Sequence, residues 1–210
     1  MNTWIGGGIT NGFQGGFAGF TTATNPQRSL WIDTWLVRMD FQGGKYSNSG
    51  GVTGNDNSVE EHGADFMIGY RWTLQNGSLA LYAGPAYEFH NNSDRTVKVR
   101  GGEGGAKTLL EHSWTISPDW NLSSGVAYSM AFSTYFGYSQ LAYRLSPHFE
   151  FGPEASFFGN EAPYREWRAG AFMRFDTGIG QLTIGGGYRD PLTTGSTGYY
   201  LSFMLGNNFY

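Results

Sequence analysis

The chain has 210 residues, of which 14% are charged and 17% are aromatic, and its formal net charge at pH 7 is −4. Ordinary soluble proteins carry roughly 25% charged residues and disordered chains carry few aromatic ones, so the composition argues against both classes. The negative balance gives no basis for nucleic-acid binding, and the length predicts a single domain over residues 1–210.

Long two-faced segments run along the chain, with apolar side chains at every second position. From Phe66 to Leu74 the even positions are apolar, whereas Asp65 and Arg71 hold odd positions, and the pattern returns in residues 122–132. Because successive side chains of a strand point to opposite faces, each segment is predicted as a strand with one face for hydrocarbon and one for water. Since no stretch approaches the roughly 20 apolar residues of a membrane helix, we predict a transmembrane β-barrel.

Turn residues divide the chain into twelve predicted strands, which form an all-β, antiparallel, up-and-down barrel. An even strand number places both termini on one side, which we expect to be periplasmic. The connections after even-numbered strands are short, whereas segments 45–60 and 90–97 are predicted as outer loops. The predicted strands cover residues 3–12, 13–24, 29–44, 61–75, 78–90, 97–116, 120–132, 134–146, 149–159, 165–176, 181–190 and 197–210.

The dipeptide Asn76-Gly77 predicts a two-residue hairpin between the fourth and fifth strands. Closing the hairpin there pairs Trp72 with Leu81, so that apolar residues meet on one face. The same closure makes Asp65 face Glu88 on the other face. An arginine, a cation or a bound proton must then relieve this pair of like charges.

Charged side chains of both signs share the phase that faces the predicted interior. A closure of strands nine and ten places Glu150 near Arg174 and Glu154 near Arg168. Mixed signs predict an interior cross-linked by ion pairs rather than a filter of a single sign. The predicted lumen charge network consists of Arg38, Asp40, Asp65, Arg71, Glu88, Lys107, Glu111, Arg144, Glu150, Glu154, Arg168, Arg174 and Arg189.

Aromatic residues fall into two groups by phase. Outward Trp72, Trp114 and Trp167 are predicted to form the interfacial girdle of a membrane barrel. The inward group could stack on sugar rings, with packing inside the lumen as the alternative. These candidate sugar-stacking residues are Phe136, Tyr138, Phe158 and Phe172.

Histidine and serine residues give little support for catalysis or metal binding. The four histidines lack the spacing of metal ligands, so no metal or cofactor is predicted. His112-Ser113 beside Glu111 raises the alternative of an outer-membrane hydrolase. However, consecutive strand residues face opposite sides, so His112 and Ser113 cannot hydrogen-bond directly, and we predict that the protein is not an enzyme.

Several short segments over about residues 65–205 form a recognisable set, of which Phe151-Gly152-Pro153-Glu154-Ala155 is the most specific. The other segments are 69–72, 84–88, 105–107, 128–132, 159–161 and 167–172, together with Trp114 and Ser117-Pro118. Together they resemble the cellulose biosynthesis protein BcsS family. The resemblance implies a protein of the bacterial outer membrane that is associated with cellulose production and export, and it carries over no catalytic residue.

Two functions therefore remain beside the hydrolase. The first is an accessory barrel for cellulose and exopolysaccharide secretion in a Gram-negative outer membrane, with its lumen closed by charge pairs. The second is a porin-like passive pore for small oligosaccharides or ions. The expected partners are outer-membrane lipid, cellulose or cello-oligosaccharides, and components of the secretion apparatus. Because Met1 runs straight into strand-like sequence, we interpret the chain as a mature form with a start Met added.

Overall fold

Antiparallel β-strands account for most of the computed structural model, which describes residues 1–10, 13–25, 30, 32–48, 57–92, 98–161, 164–192 and 197–208. The strands are β1 (Asn2–Thr10), β2 (Phe13–Ala23), β3 (Thr34–Asn48), β4 (Asn57–Leu74), β5 (Gly77–Asn92), β6 (Gly101–Ser117), β7 (Trp120–Ser129), β8 (Tyr135–Ser146), β9 (Phe149–Gly159), β10 (Arg165–Asp176), β11 (Gln181–Pro191) and β12 (Gly198–Asn208).

The sheet closes on itself. Each strand pairs antiparallel with the next one in the chain, and β1 also pairs with β12, where Thr3 lies opposite Asn207 and Thr10 opposite Tyr200. The predicted closed, 12-stranded, up-and-down barrel is therefore confirmed. No helix in the described part of the chain is long and apolar enough to cross a membrane.

The outer face of the barrel is apolar. Large hydrophobic side chains on this face are exposed around the circumference, and the alternation of each strand explains why they share one side. Hydrocarbon is the environment that suits such a surface. Examples from eight of the strands are Ile5, Trp35, Phe41, Phe66, Ile68, Leu81, Val126, Phe151, Met173, Leu201 and Phe203.

The hydrophobic core lies inside the barrel, against its β2–β7 wall. Leu36, Met67 and Tyr82 are almost completely buried and pack with Leu109. Leu30, from the connection between β2 and β3, packs against the same cluster. The interior along this wall is therefore filled by side chains.

Several strand boundaries differ from the prediction. The β2–β3 connection is longer than expected, because β2 ends at Ala23 and β3 begins at Thr34. Residues 45–48 and 57–60 belong to β3 and β4 rather than to an outer loop, and residues 49–56 lie outside the described residues. The predicted strand 120–132 ends at Ser129, and a one-turn 3₁₀ helix follows at Ala131–Ser133.

The predicted register of the β4–β5 hairpin is wrong by two residues. Leu74 lies opposite Gly77, so Gln75 and Asn76 form the turn, and Trp72 pairs with Leu79. Gly77 belongs to β5 because β6 approaches its backbone closely, and a Cβ there would overlap the Ser113 carbonyl oxygen. A shift of two residues keeps every side chain on its face.

Candidate functional site

Arg38 is the centre of an ion-pair network in the described interior that joins β3 to β6. Its Nε donates to Asp40 Oδ2 at 2.5 Å, and its Nη1 donates to Glu111 Oε1 at 2.8 Å. Its guanidinium also lies 4.5 Å from the ring centre of Trp4 and 5.7 Å from that of Tyr82. Because β4 and β5 separate Arg38 on β3 from Glu111 on β6, this pair reaches across the interior.

Lys107 neutralises Asp65, one of the two carboxylates that the sequence predicted to face each other. Asp65 lies opposite Ala86 rather than Glu88, and its Oδ2 accepts a hydrogen bond from Lys107 Nζ. The predicted Asp65–Glu88 opposition is therefore wrong, because it depended on the hairpin register. The cation that neutralises Asp65 is the ammonium group of a lysine on β6.

Glu88 has other partners near the end of the barrel opposite the termini. Its Oε1 accepts a hydrogen bond from Thr134 Oγ1 at 2.7 Å, and its Oε2 lies 3.8 Å from His90 Nε2. At the other end of the barrel, Arg71 Nη1 donates to the Leu30 carbonyl oxygen at 2.6 Å. Arg71 thereby holds the β2–β3 connection against the interior core.

A second network connects β8, β9 and β10. Arg174 donates to Glu150 Oε2 at 3.0 Å and to Gln140 Oε1 at 2.8 Å, and Arg144 binds Glu150 Oε1 at 3.1 Å. Gln140 in turn donates to Glu154 Oε2 at 2.8 Å. Arg174 and Glu150 meet as predicted because they are directly opposite in the register.

A third cluster surrounds Glu166, which sequence reasoning missed. Arg168 Nε donates to Glu166 Oε1 at 2.5 Å, and Arg189 Nη2 lies 3.2 Å from Glu166 Oε2. The predicted Arg168–Glu154 pair is wrong. Glu154 lies opposite Gly170, and Arg168 instead contacts Glu166, two positions earlier on its own strand. The even phase that Glu166 shares with Arg168 was the signal that could have identified it.

Glu166 also neutralises two arginines that lie directly opposite each other, Arg168 on β10 and Arg189 on β11. Its side chain is completely buried. The hydroxyl of Tyr164, just before β10, donates to Glu166 Oε2 at 2.5 Å. Burial, reinforced by the nearby Glu166 carboxylate, raises the pKa of the Tyr164 phenol.

The four candidate sugar-stacking aromatics, Phe136, Tyr138, Phe158 and Phe172, are inward by register. The Phe136 ring lies 5.0 Å from Phe158 and 5.7 Å from Tyr138. The guanidinium of Arg168 lies 4.5 Å from the ring centre of Phe158, and that of Arg174 lies 5.1 Å from that of Phe172. Phe172 is 1% exposed. The rings therefore pack against one another and against arginine side chains. Stacking on a sugar stays a prediction.

Neither a metal centre nor a Ser–His pair is found in the described residues. No group of three or more metal-ligating side chains could hold an ion within the described ranges. His112 stacks on Trp114 on the outer face, with ring centres 6.0 Å apart, whereas Ser113 has the inward phase.

A cavity of about 340 Å³ lies at the end of the barrel that carries the termini, lined by charged residues including Arg144, Glu150 and Arg174.

The closed barrel, its apolar outer face and its polar interior define an outer-membrane β-barrel. The fold is similar to that of the KdgM porin, with a TM-score of 0.59, 7% identity and 100% of both chains covered. The NanC porin has a TM-score of 0.58 and 11% identity over 99% of this chain and 100% of its own. The translocator domain of the autotransporter NalP from Neisseria meningitidis has a TM-score of 0.51 and 14% identity, over 99% of this chain and 86% of its own.

The family is shown by a separate comparison. The family model for cellulose biosynthesis protein BcsS matches residues 3–209, and the chain belongs to this family. No curated protein matches the chain. Family and fold together identify a protein of the bacterial outer membrane, and the porin and autotransporter likenesses show the fold alone.

Proposed function

We propose that this protein is an accessory barrel for cellulose export, with a lumen that charge pairs hold closed, rather than a passive pore or an enzyme. The observation that carries the proposal is the contact between Arg38 on β3 and Glu111 on β6 at 2.8 Å, made across two intervening strands. The Arg38 guanidinium also meets Trp4 from β1. A single side chain thus connects three separated parts of the barrel wall.

The dimensions of the barrel support a closed lumen. A barrel of this strand number is small enough for long side chains to fill much of its interior. The described interior holds the apolar cluster around Tyr82 and Leu36 on one wall, and the Arg174 and Glu166 networks on the other. An ion crossing the bore would have to break buried pairs, which is costly.

The orientation and the partners also belong to this proposal. We infer that both termini are periplasmic, because the turns at Gln75-Asn76, Pro118-Asp119 and Pro147-His148 lie at the end with the termini and are tight. In that orientation the cavity of about 340 Å³ opens toward the periplasm. Lipid surrounds the apolar outer face, and components of the cellulose secretion apparatus meet the two rims.

The same cavity favours a second candidate, a passive pore for small oligosaccharides or ions. Its lining combines Arg144 and Arg174 with Glu150, Asp176 and Gln181, and these groups can donate and accept the hydrogen bonds that a sugar requires. In a pore, the Arg38 network would be a constriction rather than a seal. Fold alone does not decide between these two functions.

Single-channel conductance of the purified barrel in planar bilayers separates the two candidates. We expect the unmodified protein to show no steady conductance, and the double variant Arg38→Ala, Glu111→Ala to conduct, because the cross-barrel side chains are then removed. Arg144→Ala is the matched control, since this arginine lies at the cavity and is 46% exposed. Steady conductance of the unmodified protein that cello-oligosaccharides block would support the pore instead.

Cellulose output of a deletion strain tests the cellulose role. We expect loss of surface cellulose, and restoration by the unmodified gene. A closed lumen also predicts restoration by Arg144→Ala. Normal cellulose in the deletion strain would contradict the role in export, whatever the conductance.

A further inference from the structure

The connection between β7 and β8 has a strained backbone. Phe132 has φ 49° and ψ 20°, and Ser133 has φ 49°, and these are the only non-glycine residues with positive φ in the described ranges. This left-handed region is unfavourable for side chains that carry a Cβ, above all for a bulky one. Strained residues persist where the surrounding structure holds them, and they concentrate at sites that switch.

Hydrogen bonds hold this connection against two parts of the barrel. The amide of Met130 donates to the Ala106 carbonyl on β6 at 2.9 Å. On the other side, the amide of Glu161, between β9 and β10, donates to the Phe132 carbonyl at 2.9 Å. Residues 130–134, which we name the latch segment, therefore bridge β6 and the β9–β10 connection at the end opposite the termini.

Two side chains in the middle of the latch segment pack inward, whereas Met130 at its start is 61% exposed. Ala131 is 0% exposed and Phe132 is 2% exposed. The Phe132 ring meets His90 edge to face, with ring centres 4.9 Å apart. Thr134 Oγ1 donates to Glu88 Oε1 at 2.7 Å, so a side chain of the segment is hydrogen-bonded to the β5 wall.

The barrel wall beneath the latch segment is acidic. Glu88 lies opposite Glu103 on β6, and His90 lies opposite Glu61 on β4, all with the inward phase. Glu88 is 7% exposed. A carboxylate buried beside others of the same charge needs a hydrogen-bond donor, and Thr134 supplies one.

We propose that residues 130–134 form a strained latch over this mouth of the barrel, which the Thr134–Glu88 hydrogen bond keeps closed and whose release exposes the acidic wall to solvent. The strain favours release, whereas the hydrogen bond and the burial of Phe132 oppose it. The latch is a property of the mouth and does not depend on the role in cellulose export.

Thiol labelling measures opening directly, because the chain contains no cysteine. Ala131→Cys places a small thiol at a fully buried position, so a maleimide reacts with it only when the latch opens. In this background, Thr134→Val keeps the shape but removes the donor and should raise the labelling rate about tenfold or more, since a hydrogen bond to a charged group is lost. Thr134→Ser retains the hydroxyl and should leave the rate within about twofold.

Relief of strain supplies the opposite perturbation. Ser133→Gly removes the Cβ at a positive φ, so it should slow labelling of Ala131→Cys about fivefold or more. Ala142→Cys reports on the rest of the interior, because Ala142 is 2% exposed on β8, away from the latch segment. Its labelling rate should be the same with and without Thr134→Val.

Three outcomes would overturn the latch. One is immediate, complete labelling of Ala131→Cys in the otherwise unmodified protein. Another is an equal labelling rate with Thr134→Val and Thr134→Ser. The third is an equal acceleration at Ala142→Cys, which would show that the barrel loosens as a whole.

Discussion

Arg38→Leu should lower the free energy of unfolding by about 3–5 kcal/mol, the usual range when one partner of a buried ion pair is removed. The Arg38 side chain is 15% exposed, and its partners Asp40 and Glu111 are 21% and 24% exposed. The substitution leaves both carboxylates without their cation inside the barrel. It also removes the contacts of the guanidinium with Trp4 and Tyr82, each worth about 0.5–2 kcal/mol.

The assay is urea unfolding of the barrel in lipid vesicles, followed by tryptophan fluorescence. Arg144→Leu is the matched control, because this arginine also binds a glutamate but its side chain is 46% exposed. Its partner Glu150 also keeps Arg174 at 3.0 Å. We expect the control to lose about 0–1 kcal/mol, as exposed pairs do.

A double-mutant cycle with Glu111→Leu tests whether the two groups act together. If Arg38 and Glu111 stabilise the barrel as a pair, the double variant should lose less than the sum of the two single variants. Equal losses for Arg38→Leu and Arg144→Leu, or strict additivity in the cycle, would refute a closed interior that depends on cross-barrel pairing.

Three further predictions concern packing, the lumen and topology. Gly84→Ala should lower the urea midpoint of unfolding, because the added Cβ would overlap the β4 backbone. Gly104→Ala should leave the midpoint unchanged, since the atom nearest to its added Cβ is 3.8 Å away. Equal midpoints for the two variants would contradict the register. Glu154→Leu should lower the temperature at which the electrophoretic mobility changes on heating more than Ser123→Leu, because Glu154 accepts hydrogen bonds from Gln140 and Tyr200 inside the barrel. Equal shifts would argue against a paired interior. A tag inserted at Gly51, outside the described residues, should bind antibody on intact cells, and binding only after permeabilisation would reverse the proposed orientation.

Alternation predicted most of the fold because it is a local property. Residues two apart in a strand share a face whatever the strand pairs with, so the phase placed Arg38 and Glu111 on the same side without any knowledge of neighbours. Turn residues divided the chain into twelve strands for the same reason, since each turn depends on a few adjacent residues. The strand number and the closed barrel are confirmed.

Local patterns were less informative where backbone contacts between strands decide the structure. Asn76-Gly77 favours a turn in isolation, but the close approach of β6 keeps Gly77 within β5. Phe132 continues the alternation of β7, yet it lies beyond the end of that strand in a left-handed conformation. Its hydrogen bond with Glu161, far along the chain, has no counterpart in the local sequence.

Within the strands, the sequence by itself determined which side chains face inward and which face lipid, and only the tertiary structure decided which inward charges meet. The phase of Arg168 is compatible with Glu154 and with Glu166, but the register of β9 against β10 places Glu154 opposite Gly170, and Arg168 pairs with Glu166. Lys107 meets Asp65 because β4, β5 and β6 curve around one interior. A period of two residues fixes a face, whereas a contact across a barrel depends on register, curvature and closure, which form only when all the strands pair.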